Sequence, residues 1–562
     1  MNPEIAWPRN DYSRVPFWLH HDAAIYELEM ERIFRGPAWS YLCLEAEIPN
    51  AGDFRTTWVG DTPVIVSRDK DGALHAFVNR CSHRGAMIVR SLRGNAERLV
   101  CLYHRWCYSS SGELTGLPFR KGLKGEGGMP QDFDMHAVSP RKLKLASCHG
   151  MLFGSFSDRA EPLEAYLGEF GTGIIKRFLS RPIRILGYSR QRIHGNWKLY
   201  AENLRDTYHA SLLHEFFVTY GVDRATQKGG VKMDGRHRHN MNHAYASTDT
   251  QEDATAAYAG TAARLDRMQL RDRKLLEFKN EYSDGMNLAA PVFFPNALLI
   301  QINNSLATRQ IRPQGVPDRV RLCRRRRRDD PPPPDLGQPG RPGGAGQHGG
   351  RRSDRGGAEG DAQHARGLRR HSDGRPRRSA RPRPPRHRDA DPRLLVVLGR
   401  ADGSRARRRH QVNRLYELMA EYAMALDEDR LEDWVELFDE DCDYRIVTRE
   451  NVEQGLPNVL MWCDNKNMLR DRVESYRNVN LYNLHYDRHV LGLLRFITTD
   501  DSGCCFELAY SVFQTSLEGE SRLFSVGRYR VEARVEGNLA KLKSVTVIAD
   551  TGLVPSLLAT PI

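Results

Sequence analysis

The sequence predicts an α+β protein built from several domains. Its 562 residues are enough for about three or four domains of ordinary size. Short strand-like runs lie between residues 39 and 79, and amphipathic helices followed by long strand-like runs begin at residue 412. Between these regions, residues 318–411 have a composition that cannot build a hydrophobic core. We therefore expect folded regions on both sides of an unfolded tract.

The N-terminal strand-like runs predict a small antiparallel β-domain over residues 39–155, preceded by a segment over residues 1–38. Asp71-Gly72 is a hairpin signal between the last two runs. The four runs are Trp39–Ile48, Asp53–Val59, Pro63–Arg68 and Ala73–Asn79.

Two short motifs follow these runs and together carry four candidate metal ligands. Cys81 and His83 form a C-x-H motif, and Cys101 and His104 form a C-x2-H motif, with seventeen residues between the motifs. Two thiolates and two imidazoles are the ligands of a Rieske [2Fe–2S] centre, in which the cysteines hold one iron and the histidines the other. A structural zinc site can also take two cysteines and two histidines, but zinc fingers usually pair cysteine with cysteine. One cysteine and one histidine in each loop predict a Rieske domain.

A second candidate metal site lies further along, in the region 156–317 that we predict to be an α+β catalytic domain. Asn196–Asn203 is followed by Asp206, His209 and His214, and the apolar positions around them suit one helix. Two imidazoles plus one carboxylate form the facial triad of non-haem Fe(II) oxygenases. From the pattern alone, a buried or surface histidine pair without metal is an equal alternative.

Three further features bear on ligand binding. Arg309 follows an alternating stretch and could pair with a substrate carboxylate, although the pattern favours a solvated strand arginine. His237, His239 and His243 are interpreted as part of a polar loop rather than a metal site. The glycines at 125–128 do not form a dinucleotide fingerprint, so NADH is expected to act only through a separate reductase.

The charge of the chain is concentrated in the tract. The net charge is +13, but residues 319–409 hold 27 Arg against 10 acidic residues, a surplus of 17 that leaves −4 for the rest. We therefore expect no nucleic-acid partner and no membrane partner for the folded regions. The sequence shows no signal-peptide pattern and no run of eighteen apolar residues, which predicts a cytoplasmic location.

The tract has two interpretations. It could be an Arg/Gly/Pro-rich disordered linker that binds RNA, or it could be sequence read out of frame. Codons can be chosen for residues 347–355 so that reading starts one nucleotide later and gives Ser-Met-Glu-Asp-Gly-Glu-Ala-Ile. The same one-nucleotide shift makes residues 392–403 resemble the sequence of a globular protein. We favour the frameshift. The sequence does not distinguish a sequencing error from a mutation.

Residues 8–313 resemble the large subunit of Rieske non-haem iron ring-hydroxylating oxygenases, in the branch of salicylate 5-hydroxylase, anthranilate dioxygenase and terephthalate dioxygenase. The pattern E-N-x-x-D-x-Y-H-x4-H, from Glu202 to His214, carries this resemblance, together with phrases such as the one over residues 124–130. The resemblance implies that His209 and His214 bind a mononuclear Fe(II), and that Asn203 and Asp206 are catalytic. Asp206 would connect His209 to a Rieske histidine of a neighbouring subunit.

In the family, the third iron ligand is an aspartate. The reading frame of this chain does not encode an equivalent aspartate. Its codon would overlap Gly350 and Arg351, and the nearby Asp354 does not lie in a similar segment. The catalytic domain is therefore expected to be incomplete.

A second resemblance begins at residue 412. Two amphipathic helices and four strand-like runs resemble the small β-subunit of the same oxygenases, a cystatin-like α+β cone. The strand-like runs are Cys442–Thr448, Cys504–Thr515, Arg522–Val535 and Ala540–Ala549. The two subunits are separate chains in the family, and a frameshift that removes the stop codon between them would fuse them.

The implied activity is hydroxylation of an aromatic carboxylate by O2, with electrons supplied by a NADH-dependent reductase, with or without a ferredoxin. The implied assembly is trimer-based, of the α3β3 type. Two alternatives remain: an electron carrier without oxygenase activity, and an inactive product of a frameshifted gene. The sequence specifies neither the aromatic acid nor mono- versus dihydroxylation.

Overall fold

The computed structural model describes residues 14–246, 250–260, 270–313, 318–324, 392–479, 482–499, 503–550, 552–554 and 558–562. For residues 318–324 and 392–408 only the backbone is described. The described parts of Met1–Leu336 and Arg414–Ile562 form one compact unit. Of the second unit, Gly337–Asn413, only residues 392–413 are described, as part of one helix.

The N-terminal region is a β-domain, and the four predicted strands are confirmed. A sheet of order β4-β3-β2-β5 faces a smaller sheet of order β6-β7-β8, and β1 pairs with β10, which pairs with β9. The elements are α1 Ala23–Glu29, β1 Ser40–Leu44, β2 Asp53–Val59, β3 Thr62–Arg68, β4 Leu74–Val78, β5 Arg93–Asn95, β6 Arg98–Val100, β7 Cys107–Ser109, β8 Leu114–Gly116, β9 Lys144–Cys148 and β10 Met151–Ser155.

The next region packs one long helix on a large sheet, as predicted for an α+β domain. Helix α2 buries Ile175 and Phe178 against Phe293 and Leu299 of the sheet. The elements are α2 Leu163–Leu179, β11 Ile183–Gln191, α3 Trp197–Asn203, α4 Ala210–Leu213, α5 Glu215–Thr219, β12 Gly229–Met233, β13 Asn240–Tyr245, α6 Gln251–Ala257, β14 Met286–Phe293, β15 Ala297–Ile302, β16 Ser305–Gln310 and β17 Asp318–Arg324. The strand order is β12-β13-β14-β15-β16-β17-β11.

The sequence predicts disorder throughout residues 318–411, but the two ends of this tract form regular secondary structure. Residues Asp318–Arg324 form β17, between β16 and β11. Their alternation of Arg with Val, Leu and Cys has the two-residue period of a strand. At the other end, a helix begins at Pro392 rather than at residue 412. Proline is well tolerated in the first helical turn, and the Ala, Leu and Arg residues that follow favour helix.

The C-terminal region is the predicted cone of helices and a curved sheet. Its sheet has the order β19-β18-β24-β23-β22-β20, with β21 also paired to β22. The aromatic side chains of Tyr422, Trp434, Tyr444 and Tyr529 fill its core. The elements are α7 Pro392–Asp427, α8 Leu431–Glu436, β18 Phe438–Thr448, α9 Arg449–Glu453, β19 Met461–Cys463, α10 Lys466–Asn478, β20 His485–Leu491, β21 Arg495–Thr499, β22 Cys504–Ser516, β23 Ser521–Glu536, β24 Leu539–Ala549 and β25 Leu553–Val554.

The C-terminal region contacts the large sheet directly. Strand β25 pairs in parallel with the end of β11, so that Arg190 lies opposite Leu553 and Gln191 opposite Val554. This pairing makes β25 the eighth strand of that sheet. No helix within the described residues combines the length and the apolar character needed to cross a membrane.

Candidate functional site

The two Cys/His loops of the N-terminal domain have the same backbone turn. In the first loop the Gly85 amide donates to the Cys81 carbonyl at 2.8 Å, and in the second the Arg105 amide donates to the Cys101 carbonyl at 3.0 Å. Gly85 has φ 72° and Arg105 has φ 58°. Glycine adopts this left-handed conformation without cost, whereas arginine adopts it against a steric preference. The loops therefore present their side chains in equivalent ways.

The side chains of these loops converge, with the sulfurs inside and the imidazoles outside. Cys81 and Cys101 are buried, whereas the Nδ1 atoms of His83 and His104 lie 3.1 Å apart on the exposed side. Two nitrogens at this separation can bind one metal ion, with the two thiolates left for the other iron. The arrangement fits a [2Fe–2S] cluster with two cysteine ligands on one iron and two histidine ligands on the other.

Two aromatic residues that the sequence analysis did not single out support this site. The Tyr108 hydroxyl lies 3.1 Å from the Cys81 sulfur and donates to it, and the indole of Trp106 stacks on the His83 ring at 5.0 Å. Hydrogen bonds to ligand sulfurs tune the potential of iron–sulfur clusters. The only sequence feature that could have indicated Trp106 and Tyr108 is their position just after the second Cys/His motif.

The second candidate site does not lie on one helix, as the apolar pattern predicted. Three short helices, α3, α4 and α5, replace it, and His214 between α4 and α5 has non-helical dihedrals of φ −87° and ψ 60°. Of the apolar positions that suited one helix, Leu204 is half-buried, whereas Tyr208, Leu212 and Leu213 are exposed. The break allows histidines five residues apart to face each other.

The ring centroids of His209 and His214 lie 5.2 Å apart. An Asp206 carboxylate oxygen lies 3.2 Å from His209 Nδ1, which leaves Nε2 of that ring to face a metal. Burial, and then the charges of His209 and Arg309, lower the pKa of His214. A lowered pKa keeps this imidazole neutral, as metal binding requires. Nearby, burial raises the pKa of Asp223, and His209 partly opposes that effect.

Three His, Cys, Asp or Glu side chains do not converge on one metal position anywhere in the described part of the chain. A Rieske cluster needs only two protein ligands for each iron. At the second site, His209 and His214 provide two imidazoles, and the segment predicted to have carried the third ligand, with Gly350, Arg351 and Asp354, lies outside the described residues.

The remaining predicted residues occupy different surroundings. Asn203 is exposed, and its backbone carbonyl lies 3.4 Å from the Asp206 amide. Arg309 is half-buried and donates to the Tyr200 hydroxyl at 2.9 Å. The interpretation of the His237–His243 stretch as a polar loop is wrong for two of its histidines. His239 is fully buried, accepts from the Phe294 amide and faces the Tyr166 carbonyl at 3.0 Å. His243 lies in strand β13.

Each of the three folded regions matches a known protein family. Residues 38–125 match the Rieske [2Fe-2S] domain, residues 182–336 match the ring hydroxylating alpha subunit (catalytic domain), and residues 421–556 match the ring hydroxylating beta subunit. Over 314 residues the chain is 44% identical to the terephthalate 1,2-dioxygenase terminal oxygenase component subunit alpha 2 of Comamonas sp, a match covering 56% of this chain and 75% of that protein. The chain belongs to the ring-hydroxylating oxygenases.

Two other relatives are similarly close. The anthranilate 1,2-dioxygenase large subunit of Burkholderia cepacia is 44% identical over 57% of this chain and 75% of its own length. The salicylate 5-hydroxylase large oxygenase component of Ralstonia sp is 42% identical over 55% of this chain and 74% of its own length. As a ring-hydroxylating oxygenase, this chain is an oxidoreductase whose cofactors are a Rieske [2Fe–2S] cluster and a non-haem iron. It joins the alpha-type and beta-type regions in one polypeptide.

Proposed function

We propose that this oxygenase hydroxylates an aromatic ring that carries a carboxylate, using O2 and electrons from a NADH-dependent reductase. The observation that carries the proposal is the half-buried guanidinium of Arg309, which donates to the hydroxyl of Tyr200 on α3, the helix that precedes the segment with His209 and His214. A guanidinium in this position can pair bidentately with a carboxylate. The relatives named for terephthalate, anthranilate and salicylate support an acid of this class.

Each candidate residue has a role within this proposal. Cys81, His83, Cys101 and His104 hold the cluster, and His209 and His214 hold the iron. Asp206 orients His209 through the 3.2 Å contact and offers the acceptor through which an electron would arrive from a Rieske histidine of a neighbouring copy in a trimer-based assembly. When bound, the cluster supplies one-electron transfer and the iron supplies O2 activation.

The electron-carrier alternative is disfavoured by the catalytic region. A carrier has no need of the paired imidazoles of His209 and His214, whose rings lie 5.2 Å apart in the catalytic region. The test is to purify the full chain and a frame-restored version, load both with iron, and assay benzoate, salicylate, anthranilate and terephthalate with a reductase and NADH. Hydroxylated product from the frame-restored protein supports the proposal. A stable cluster without substrate-dependent oxygen uptake in that protein contradicts it and favours the carrier.

A further inference from the structure

A buried carboxylate of the N-terminal segment bonds to the first turn of helix α3. Glu29, the last residue of α1, has a relative exposure of 8%. One of its oxygens accepts from the Trp197 indole nitrogen at 2.8 Å, and the other lies 2.6 Å from the Lys198 ammonium nitrogen. Both oxygens therefore contact α3, although Glu29 lies 168 positions before Trp197 in the chain.

The first turn of α3 is also held by packing and by its own cap. The Trp197 ring packs edge-on against Phe34 at 5.3 Å. The Asn196 side chain accepts from the Lys198 amide at 3.0 Å and from the Lys198 ammonium group at 2.9 Å. A helix of seven residues is too short to be stable alone, so tertiary contacts such as these decide where α3 lies.

The other end of α3 leads directly to the candidate iron site. The Asp206 amide donates to the Glu202 carbonyl of α3 at 3.1 Å, and the Asp206 carboxylate lies 3.2 Å from His209 Nδ1. At a rise of 1.5 Å per residue, the two ends of α3 are only about 10 Å apart. A tilt of the first turn would therefore move Asp206 relative to the rest of the site.

We infer that Glu29 is a positioning residue: it fixes α3, and α3 fixes Asp206 and His209. The inference rests on the proposed function, in which Asp206 receives the electron and His209 binds the iron. Side chains of such a site must be held within about 0.5 Å by the contacts around them. Glu29 lies outside the three matched family regions, so the inference gives the N-terminal segment a part in the reaction.

The test uses Cu(II) as a probe of the histidine pair in the full chain with its Rieske cluster assembled. Cu(II) binds nitrogen ligands more tightly than the other divalent first-row metals, so it can report on two imidazoles without a carboxylate. EPR titrations of the unmodified chain and of His209→Ala isolate the signal of this site by difference. We expect Glu29→Leu to weaken Cu(II) binding there by about tenfold, the lower end of the effect for residues that orient metal ligands, and to change the copper hyperfine splitting.

The splitting separates positioning from folding. A loss of stability alone lowers the amount of bound copper and leaves its splitting unchanged, whereas a displaced ligand changes the splitting. Glu29→Leu also leaves the Lys198 ammonium group without its carboxylate, which destabilises the fold. The double variant Glu29→Leu/Lys198→Met removes both charges, a replacement that is often neutral for stability. It should unfold near the wild-type temperature and keep the altered splitting, because α3 no longer bonds to α1.

Two milder variants complete the series. Glu29→Gln keeps an acceptor for the Trp197 indole and should shift the splitting less than Glu29→Leu. Glu27→Gln changes an exposed residue of the same helix and should leave both the affinity and the splitting at wild-type values.

A wild-type splitting in both Glu29→Leu and the double variant would show that Glu29 only balances a buried charge, and the inference would be wrong. A different failure concerns the site itself. If His209→Ala leaves the Cu(II) signal of the chain unchanged, the histidine pair is not a metal site. That result contradicts the proposed function, and the inference fails with it.

Discussion

At each of the two candidate metal sites, one side chain forms a hydrogen bond to a proposed ligand. At the Rieske loops the Tyr108 hydroxyl donates to the Cys81 sulfur, and at the second site Asp206 holds one nitrogen of His209. A hydrogen bond at the far side of a ligand orients it and tunes its basicity. Tyr108 and Asp206, which make these hydrogen bonds, can therefore be tested by substitution in the same way as the proposed ligands.

Replacing Cys81 or His104 by alanine should abolish the visible absorption and the EPR signal of the Rieske cluster, because one iron then loses one of its two protein ligands. Cys107→Ala is the matched control. Its thiol donates to the Arg105 carbonyl at 3.3 Å and is not a ligand in the proposed site, so the spectrum should be retained. A purified protein that binds zinc and no iron–sulfur cluster would show that the Rieske assignment of these residues is wrong.

Asp206→Asn should keep the cluster and most of the mononuclear iron yet stop turnover, because it removes the charge through which we propose that the electron reaches His209. The fold should tolerate the change, since an asparagine oxygen can still accept from the Tyr208 amide, now 2.7 Å from Asp206. The measurement is single-turnover reoxidation of the reduced cluster in the frame-restored protein. Reoxidation at the wild-type rate would exclude a role for Asp206 in electron transfer.

At the scale of single elements, one edge of strand β11 forms its hydrogen bonds with residues of the C-terminal domain. The Asn451 side chain accepts from the Tyr188 amide and donates to the Tyr188 carbonyl, both at 3.0 Å. These are the two hydrogen bonds that a residue of a neighbouring strand would otherwise form. The Asn458 amide donates to the Leu186 carbonyl. Between them Gly187 has φ 154°, and a Cβ there would approach Asn458 Cβ to 2.4 Å. Only glycine permits this approach.

One carboxylate of the same domain neutralises two arginines from different regions. Glu450 on α9 contacts Arg93 of the Rieske domain and Arg190 of β11, and the Arg93 guanidinium lies 3.8 Å from the centre of the Tyr188 ring. Burial alone would raise the pKa of Glu450, but Arg190, Arg93 and Arg55 outweigh it and lower the pKa below its usual value. The carboxylate is therefore charged at neutral pH and holds three regions together.

Glu450→Gln should destabilise this junction by about 1–3 kcal/mol, because it leaves two largely buried guanidiniums without their carboxylate. Asn451→Ala should cost about 2 kcal/mol through two lost buried hydrogen bonds. Hydrogen exchange of the Tyr188 and Arg190 amides measures both effects. Glu453→Gln, on the same helix but in an exposed pair with Arg449, is the control and should change stability by less than about 0.5 kcal/mol.

The effect of Glu450→Gln should depend on pH. A carboxylate whose pKa is lowered by folding contributes its full stability above its ordinary pKa and loses it as the pH falls through the lowered value. The wild type should therefore approach the variant in acid, below the ordinary value of 4.5. Equal protection of the Tyr188 amide in wild type and Glu450→Gln at pH 7 would contradict the role of Glu450.

For the molecule as a whole, the proposed missing carboxylate limits the oxygenase reaction. Two imidazoles bind Fe(II) more weakly than two imidazoles plus a carboxylate, which adds a ligand and neutralises charge. We expect the chain as written to hold little mononuclear iron and to be inactive towards salicylate, anthranilate and terephthalate, even with reductase, NADH and excess Fe(II). Metal analysis and coupled oxygen uptake measure the two expectations.

The frame-restored protein is the control for this prediction and should regain both iron and activity. A hydroxylated product formed by the unrepaired chain in proportion to oxygen consumed would disprove the frameshift interpretation and the need for the missing aspartate.

The sequence by itself determined the features that local patterns encode. The spacing of Cys81, His83, Cys101 and His104 predicted the cluster loops, and two-residue alternation predicted the strands of the first and last domains, because ligand geometry and strand pleating depend on neighbouring residues. The same alternation was present in Asp318–Arg324, but the composition of the tract concealed it.

Only the tertiary structure decided which distant residues meet. The contact of Arg309 with Tyr200 joins residues 109 positions apart, and the contact of Asn451 with Tyr188 joins residues 263 positions apart. His239 similarly belongs to the core because α2 and the residue after β14 provide its hydrogen bonds. Register and domain contacts are set by the packing of whole faces, and a single sequence does not display that packing.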